Sequence, residues 1–458
     1  MAGVLGLIDS TTFSANSFYN RNNRRRIFHD YPTGMFPLTG LLSIMDDEFT
    51  DNHEFGWWEK RFEEPETTVK AVVAPFLDSA GADTLGDEVD FLVDGSTEYR
   101  INVDASGQFQ VRQVIWIVDL HQTGGELVSL KGVVTAIVSA TVIQFRPVEA
   151  TQNVTNTNTA SPNGPVGCTV MVIGNANAEG INASTGRFYP PIKITNYTQI
   201  FRNAFSFTRT SMKEPVDFDK TGLYREKAED NLRLHMTGIE KAFLFGIKDE
   251  QTVTVDSEDL PERTTGGIYY FIQQYEAANS AYRGGTGAAA ASTANELKRI
   301  IRAASSTVSW ANWNKWLEWA FRSTNEKAME KIFMCGSGFL AAVNTCLEAA
   351  STINKQYKTE KVYGMDVTSW VTPFGTVHFK THPLFTKNAA LRYNGMLLDV
   401  QNLKYRPLND SDTDVLPNRQ NPGEDRRKDE WLTEAGLECR FPESHMVIED
   451  MQTLSPPA

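Results

Sequence analysis

Apolar side chains recur along residues 224–247 at steps of four and three positions, the spacing of one face of an α-helix. The stripe consists of Tyr224, Ala228, Leu232, Met236, Ile239, Phe243 and Ile247. It predicts a helix over residues 221–247, with Asp219 or Thr221 as the N-cap and Gly246 as the stop signal. Some 25 helical residues at about 1.5 Å each extend about 37 Å, so this helix can act as the spine of a domain.

The pattern is different between Leu85 and Ile173, where short β-strand runs follow one another. Runs such as EYRINV, RQVIWIVDL and CTVMVIG are rich in β-branched and aromatic residues, and Gly, Asp and Asn turns separate them. They predict a β-rich domain over residues 85–185. Within it, residues 150–165 have almost nothing apolar to bury, which favours a long exposed loop.

Four tryptophans stand three residues apart in the segment SWANWNKWLEWAFRS. They are Trp310, Trp313, Trp316 and Trp319. At this spacing the indole rings share one helix face, and such a face is far more often a buried core or a subunit contact than a ligand site. We therefore expect this helix to pack its tryptophans against protein.

The remaining segments complete the predicted organisation. Residues 1–50 are rich in Asn and Arg and then in turn-forming Pro and Gly, which indicates an N-terminal arm. Residues 51–84 begin a strand-like pattern and are assigned to an extended loop region. Beyond the tryptophan helix come a strand-turn-helix unit, a β-hairpin and late strands. Helices and strands in separate runs place the chain in the α+β class.

Composition indicates a globular chain with more than one domain. The 458 residues are 41% hydrophobic and 22% charged, and single hydrophobic cores stop growing well below this length. No stretch reaches the roughly 18 unbroken apolar residues that a membrane span needs. No basic segment precedes the short apolar run at the N-terminus. We expect a protein made in the cytoplasm, without a membrane partner.

Charge argues against a protein whose main task is to grip nucleic acid. Acids outnumber bases by 57 to 44, and the net charge of −13 repels phosphate. The exception is the segment NRNNRRRIF, which carries Arg21, Arg24, Arg25 and Arg26. A run this short is more often a solvated or neighbour-docking tail than a nucleic-acid contact. An acidic neighbour and packed DNA both remain open as its partner.

No set of residues predicts a catalytic, cofactor or metal site. The cysteines form no C-x-x-C pair, which argues against a disulfide framework or a zinc site. His378 and His382 lie on a predicted strand, where four residues span about 13 Å, too far for one metal ion. We therefore expect no cofactor and no metal.

Ser337, in the sequence CGSGF, follows a predicted strand and precedes a predicted helix, as the nucleophile of an α/β-hydrolase does. That turn needs glycine two residues to either side of the serine, and here Cys335 and Phe339 occupy those positions. A tight turn with a helix cap is the simpler interpretation. A serine hydrolase is the remote alternative.

Five segments occur in a diagnostic order: TNYTQIFRNAFSFTRT, GIEKAFLFG, TGGIYYFI, FGTVHFKTHPLF and TEAGLECRFPESHMVIED. In this order the chain resembles the major capsid proteins of tailed bacteriophages. It is most similar to the subgroup typified by phage SU-ten, within the Hong Kong 97 type of fold. The resemblance extends from about residue 190 to the end, and HEFGWWEKRF is similar to the start of the family's extended loop.

The resemblance implies a domain organisation. It divides the chain into an N-terminal arm (1–50), an extended loop (51–84), the β-rich domain (85–185), a peripheral domain with the spine helix (186–333), an axial domain (334–390) and return strands of the peripheral domain (391–458). Residues 85–185 are the part that the resemblance constrains least.

It also implies a function without catalysis. Copies of the chain would assemble through pentamers and hexamers into an icosahedral head that encloses double-stranded DNA, and the mature location would be the virion. Portal, scaffolding and decoration proteins are the expected partners, with weak, non-specific DNA contact at most. The lack of a long N-terminal coiled-coil segment suggests a separate scaffolding protein or prior cleavage. Another virion structural protein, a tail tube or a spike, is the alternative.

On this view the acid-free segment 194–210 is an extended strand at a subunit contact. The candidate contact residues are the four arginines of the arm together with Trp57, Trp58, Tyr197, Gln199, Phe201 and Arg202.

Overall fold

The computed structural model describes residues 38, 48–60, 66–122, 125–161, 164–180, 186, 188, 190–213, 223–255, 257–282, 298–303, 307–322, 330–349, 358–362, 365–409 and 411–455. Within them the chain forms a β-rich unit, a sheet backed by a long helix, and a mixed sheet flanked by helices. The predicted α+β class is confirmed. Most of the predicted N-terminal arm, residues 1–50, lies outside the described residues.

The first part of the chain is β-structure. Its strands are β1 (Glu54–Glu59), β2 (Glu66–Thr68), β3 (Phe76–Leu77), β4 (Glu88–Phe91), β5 (Tyr99–Asn102), β6 (Gln113–His121), β7 (Leu127–Ser139), β8 (Val142–Pro147), β9 (Thr151–Thr155), β10 (Thr169–Asn175) and β11 (Ile192–Tyr197). Strands β1 and β11 pair with each other as an antiparallel ribbon. Between them lies a seven-stranded sheet of order β2-β10-β6-β7-β8-β5-β3, with β4 and β9 as a separate pair.

The β-rich unit has a hydrophobic core of its own. Its inward-facing residues alternate along the strands, as Ile115 and Ile117 do on β6 and Ile143 and Phe145 on β8, all fully buried. The sheet also includes β2 and β3, which precede the predicted start of this domain at residue 85. These strands are three and two residues long, too short to show a period in the sequence.

The second part mixes helices and strands. The helices are α1 (Arg209–Lys213), α2 (Leu223–Phe245), α3 (Ile268–Tyr282), α4 (Trp310–Arg322), α5 (Ser337–Ala349) and α6 (Pro383–Lys387), with 3-10 turns at Val400–Asn402 and Pro442–Ser444. The strands are β12 (Gln199–Thr208), β13 (Asp249–Val255), β14 (Glu258–Thr264), β15 (Ile300–Arg302), β16 (Thr307–Ser309), β17 (Glu330–Cys335), β18 (Lys358–Val362), β19 (Met365–Thr372), β20 (Gly375–Thr381), β21 (Gly395–Leu398), β22 (Leu403–Pro407), β23 (Asp414–Leu416), β24 (Arg426–Cys439), β25 (Met446–Glu449) and β26 (Thr453–Ser455).

Helix α2 is the long helix that the apolar stripe predicts. It packs against the four-stranded sheet of β12, β24, β22 and β23, and the His235 ring lies 2.7 Å from the Thr433 hydroxyl on β24. Ile247, the last member of the predicted stripe, lies beyond the helix and is 64% exposed. The helix ends at Phe245, and the next residue, Gly246, allows the segment before α3 to approach closely, since a Cβ there would lie 2.5 Å from the carbonyl oxygen of Thr265.

The mixed sheet has the order β15-β25-β21-β17-β20-β19-β18, with α4 and α5 packed on it. The boundary predicted at residue 334 falls inside β17. Strands β21 and β25, predicted as return strands of the peripheral domain, also belong to this sheet, and only β22, β23 and β24 of that region join β12. In this sheet β17 pairs with β20, 46 residues away, and with β21, 60 to 66 residues away, and sequence order does not reveal such pairings.

The tryptophan helix α4 supplies much of the core on one side of this sheet. Trp313 is fully buried, and its ring centroid lies 6.2 Å from that of Phe333 and 6.0 Å from that of Phe339. Trp319 is also buried, while Trp310 and Trp316 are half-buried against the same cluster. The expectation that these tryptophans pack against protein is confirmed.

A buried lysine ties α4 to β17. The Nζ of Lys331 donates to the carbonyl oxygens of Ala320 and Ser444, each at 2.6 Å, and the side chain is fully buried. Burial lowers the pKa of Lys331 to about 8, since desolvation disfavours the charged form. This amine joins the end of a helix, a strand and a 3-10 turn.

Gly436 on β24 allows the ribbon to approach the four-stranded sheet. A Cβ at this position would lie 2.5 Å from the Phe55 ring and 2.8 Å from the carbonyl oxygen of Tyr197. We expect Gly436→Ala to lower the free energy of unfolding by about 1–3 kcal/mol, because the added methyl overpacks this contact. Urea denaturation of the unassembled chain, followed by circular dichroism, measures the change.

Gly238 in α2 is the matched control. No atom lies within 4 Å of a Cβ built there. Gly238→Ala should raise the free energy of unfolding by roughly 0.5–1 kcal/mol, because alanine favours the helix. Equal effects of the two substitutions would contradict the close approach at Gly436.

Candidate interaction surfaces

The ribbon of β1 and β11 presents two unlike faces. Along β1, exposed and buried residues alternate strictly. Phe55 and Trp57 point into the core beside α2 and α3, whereas Trp58, one residue further, is 66% exposed. Because a strand sends neighbouring side chains to opposite faces, a single strand here both anchors the ribbon and leaves a large aromatic side chain on the surface.

Asn196, on β11, fixes the base of this ribbon. Its side chain is fully buried, and its Nδ2 donates to the carbonyl oxygens of Leu437 at 2.7 Å and Gly266 at 3.0 Å and to the Thr265 hydroxyl at 3.1 Å. Its Oδ1 accepts the backbone N–H of Gly266 at 2.8 Å and that of Tyr197 at 2.9 Å. One amide thus joins the ribbon, strand β24 and the segment that leads into α3.

The hairpin β13–β14 projects from the surface next to Asn196 and the ribbon. Lys248 anchors its base, since the Nζ donates to the carbonyl oxygen of Thr195 at 3.0 Å and lies 4.7 Å from the centre of the Tyr197 ring. Burial lowers the pKa of Lys248. Across the hairpin, the Arg263 side chain donates to Glu250 at 2.9 Å, and this bond lowers the pKa of Glu250. Lys248 thus holds the base of the hairpin against the ribbon, and the Arg263–Glu250 bond joins the two strands of the hairpin.

Two glutamates on β24 each form ion pairs with two arginines. Arg202 lies 2.8 Å from Glu430, and Arg419 lies 3.5 Å from the same carboxylate. Glu438 is fully buried and bonds to Arg406 and Arg440. A buried carboxylate keeps its charge only with such partners. Sequence reasoning missed both groups, because the partners come from different strands and loops.

Some predicted contact residues are available on the surface. Trp58 is exposed, and the Arg202 side chain is 59% exposed although it is paired with Glu430. Tyr197 and Gln199 are half-buried, and the Gln199 side chain accepts the N–H of Thr265 at 3.2 Å. The four arginines of the arm lie outside the described residues: Arg21, Arg24, Arg25 and Arg26.

Trp57 and Phe201 do not lie on the surface. Trp57 is 5% exposed, donates its indole N–H to Glu59 and meets the Phe271 ring edge-on at 5.6 Å. Phe201 is 9% exposed and faces α2. Alternation of side chains along a strand does not show which of its two faces is buried. Both side chains pack into the core of their own chain, and their assignment as subunit contacts stays a prediction.

Ser337 is the first residue of α5, directly after β17 as predicted. A Cβ at Gly336 would lie 2.2 Å from the carbonyl oxygen of Arg392, and one at Gly338 would lie 2.7 Å from the Tyr393 ring. The glycines therefore allow a neighbouring segment to pack on this turn. Among the described residues, no hydrogen bond joins Ser337 to a histidine.

The two histidines of the H-x-x-x-H pattern have separate partners. His378, on β20, lies 2.9 Å from the Ser369 hydroxyl, and His382, at the N-cap of α6, lies 2.9 Å from Glu240 on α2. In the described part of the chain, no group of three or more His, Cys, Asp or Glu is placed to hold a metal ion. The helices within these ranges include none with the length and apolar character for crossing a bilayer.

A model of the SU10 major capsid protein family matches residues 10–452. The major capsid protein of Pseudomonas phage PaMx41 is 33% identical over 110 residues, which are 24% of this chain and 25% of that protein. The aligned segment therefore spans about a quarter of that relative. The family match confirms the resemblance seen in the order of sequence segments.

Two solved structures are similar in fold. The capsid asymmetric unit of cyanophage A-1(L) has a TM-score of 0.36 and 11% identity, covering 75% of this chain and 90% of that one. The SrpI encapsulin complex of Synechococcus elongatus PCC 7942 has a TM-score of 0.36 and 8% identity, covering 57% of this chain and 78% of that one. At these low scores the family assignment rests on the family match.

The adjacent tryptophans of β1 provide a matched test. We expect Trp57→Ala to lower the free energy of unfolding by about 3–5 kcal/mol, because it empties a core site. Trp58→Ala should change it by less than about 0.5 kcal/mol, while decreasing the yield of assembled particles if its exposed ring lies at a subunit contact. Denaturation of the unassembled chains and sedimentation of the assembled ones separate the two effects. Similar losses of stability in both variants would contradict the assigned faces.

Proposed function

The chain belongs to the SU10 major capsid protein family, and from this premise we propose that it is the shell-forming subunit of a tailed-phage head. Copies assemble through pentamers and hexamers into an icosahedral shell around double-stranded DNA. The protein thus resides in the virion and acts through its surfaces.

The family match over residues 10–452 is the observation that carries this proposal. It includes every described element from β1 to β25, so the assignment concerns the whole chain. The β-rich unit lies inside the matched range, although the sequence resemblance constrains it least.

The arrangement of surfaces supports a subunit with several neighbours. A shell subunit needs no single strong interface, because each further contact forms within an assembly that is already held together. The exposed face of the ribbon, with Trp58, and the hairpin β13–β14 each offer a modest area suited to such contacts.

We assign the chain no catalytic role. Ser337 has a packing explanation in the glycine-flanked turn. Portal, scaffolding and decoration proteins are the proposed partners besides further copies. The net charge of −13 limits contact with the packaged DNA to weak, non-specific encounters.

Electron microscopy of the full-length protein tests this function. The chain is expressed alone and together with a scaffolding protein of its phage, and the sedimenting fraction is imaged. We expect closed shells built of pentamers and hexamers. A stable monomer under all these conditions, or helical tubes in place of shells, would contradict the proposal.

A further inference from the structure

The hairpin β13–β14 forms a two-stranded sheet that no further described strand extends. Its strands pair from Asp249 with Thr264 to Val255 with Glu258, and neither pairs with a third described strand. Ser257, in the two-residue turn, has a φ of 73°. Seven-residue strands extend about 23 Å. Because an isolated two-stranded hairpin is marginally stable in water, contact with another segment would stabilise it.

The outer part of the hairpin is open on both faces. Every described residue of 249–254 and 257–262 is exposed. Val253 and Leu260, which are cross-strand partners, are 36% and 48% exposed. Its base is held to the ribbon through Lys248, whose Nζ donates to the carbonyl oxygen of Thr195. The hairpin therefore projects as a fixed arm whose outer end is free to bind.

The hairpin carries a strong negative charge. Residues 249–264 contain six acids and one base, Arg263, which is paired with Glu250. Asp259 accepts a hydrogen bond from the Thr254 hydroxyl. Within the described ranges, no ion pair involves Glu258, Asp259 or Glu262. A partner with excess positive charge fits this surface.

The chain itself contains such a partner. The segment 20–28 has four arginines and no acid, in a protein with a net charge of −13. The exposed arginines of the four-stranded sheet are less suitable, because Arg202 and Arg419 are paired with Glu430 and Arg426 with Glu424. Residues 21–26 hold four arginines in six positions, and no other six-residue stretch of the sequence holds four basic residues, so charge complementarity favours the arm segment.

We propose that the acidic hairpin β13–β14 of one copy docks the arginine-rich segment 20–28 of a second copy. The inference rests on the proposed assembly function and names one of its contacts. Each copy provides an arm to one neighbour and binds the arm of another, a head-to-tail contact that forms a ring when the rotation between copies closes. The single ion pairs are weak, and the contact gains strength from several charges and from repetition around a capsomer.

Charge reversal tests the contact and its intermolecular nature. One variant carries Glu258→Lys, Asp259→Lys and Glu262→Lys, and the other carries Arg24→Glu, Arg25→Glu and Arg26→Glu. We expect each variant alone to lose about tenfold in shell yield, because like charges then face each other. Co-expression of the two full-length variants should raise the shell yield above that of either variant alone, in shells that contain both, since each reversed surface then finds its complement on the other chain. A hexamer can alternate the two chains throughout, whereas a pentamer keeps one like-charged contact, so the recovery should be partial.

A third variant, Asp83→Lys, Asp87→Lys and Glu88→Lys, makes the same charge change at exposed acids of the β-rich unit and should assemble normally. Circular dichroism shows whether each variant is folded. A normal shell yield from either reversed variant would overturn the inference. DNA or another protein would then be the partner of the arginines. If shells recover only when both sets of substitutions are made in the same chain, and not on co-expression, the contact forms within one chain. That result also overturns the inference. Failure of the unaltered chain to assemble would instead contradict the proposed function.

Discussion

The buried amide of Asn196 is the interaction on which the rest of the structure depends. It holds the ribbon, the segment after the hairpin and the strand β24 to one point, with both its oxygen and its nitrogen satisfied. A fully satisfied polar network in a low-dielectric core permits one arrangement of its members, because any displacement leaves a buried group unpaired. Asn196 therefore determines how the ribbon and the hairpin leave the core.

This constraint connects the fold to assembly. The ribbon leads to the β-rich unit, and the hairpin leads to the acidic surface proposed to bind a second copy. Both begin close to Asn196 in space, since Lys248, directly before the hairpin, bonds to Thr195 of the ribbon. Gly436 belongs to the same base. Copies that must fit together in a closed shell need contact surfaces in a fixed relative position, and a rigid common base provides it without a large interface on any one side.

Local patterns in the sequence predicted local structure well, and long-range pairing poorly. The apolar stripe from Tyr224 to Ile247 predicted α2, which ends at Phe245, and the tryptophan spacing predicted a buried face for Trp313, because helical periodicity is a property of neighbouring residues. The sequence did not show that β21 pairs with β17 and β25, because these partners lie far away along the chain. The sequence also did not show that Trp57 is buried and Trp58 exposed, because a strand sends neighbouring side chains to opposite faces. Asn196 and Lys331 look like ordinary polar strand residues, and only the folded chain reveals their partners.

The most direct measurement is the stability of an Asn196→Asp variant, which keeps the shape of the side chain and replaces its donor by a second acceptor. In urea denaturation of the unassembled chain, the free energy of unfolding should fall by about 3 kcal/mol or more, because carboxylate oxygens would face the carbonyls of Gly266 and Leu437. The exposed Asn175→Asp serves as the control and should change it by less than about 0.5 kcal/mol. An Asn196→Asp variant as stable as the unaltered chain would contradict the central role of this amide.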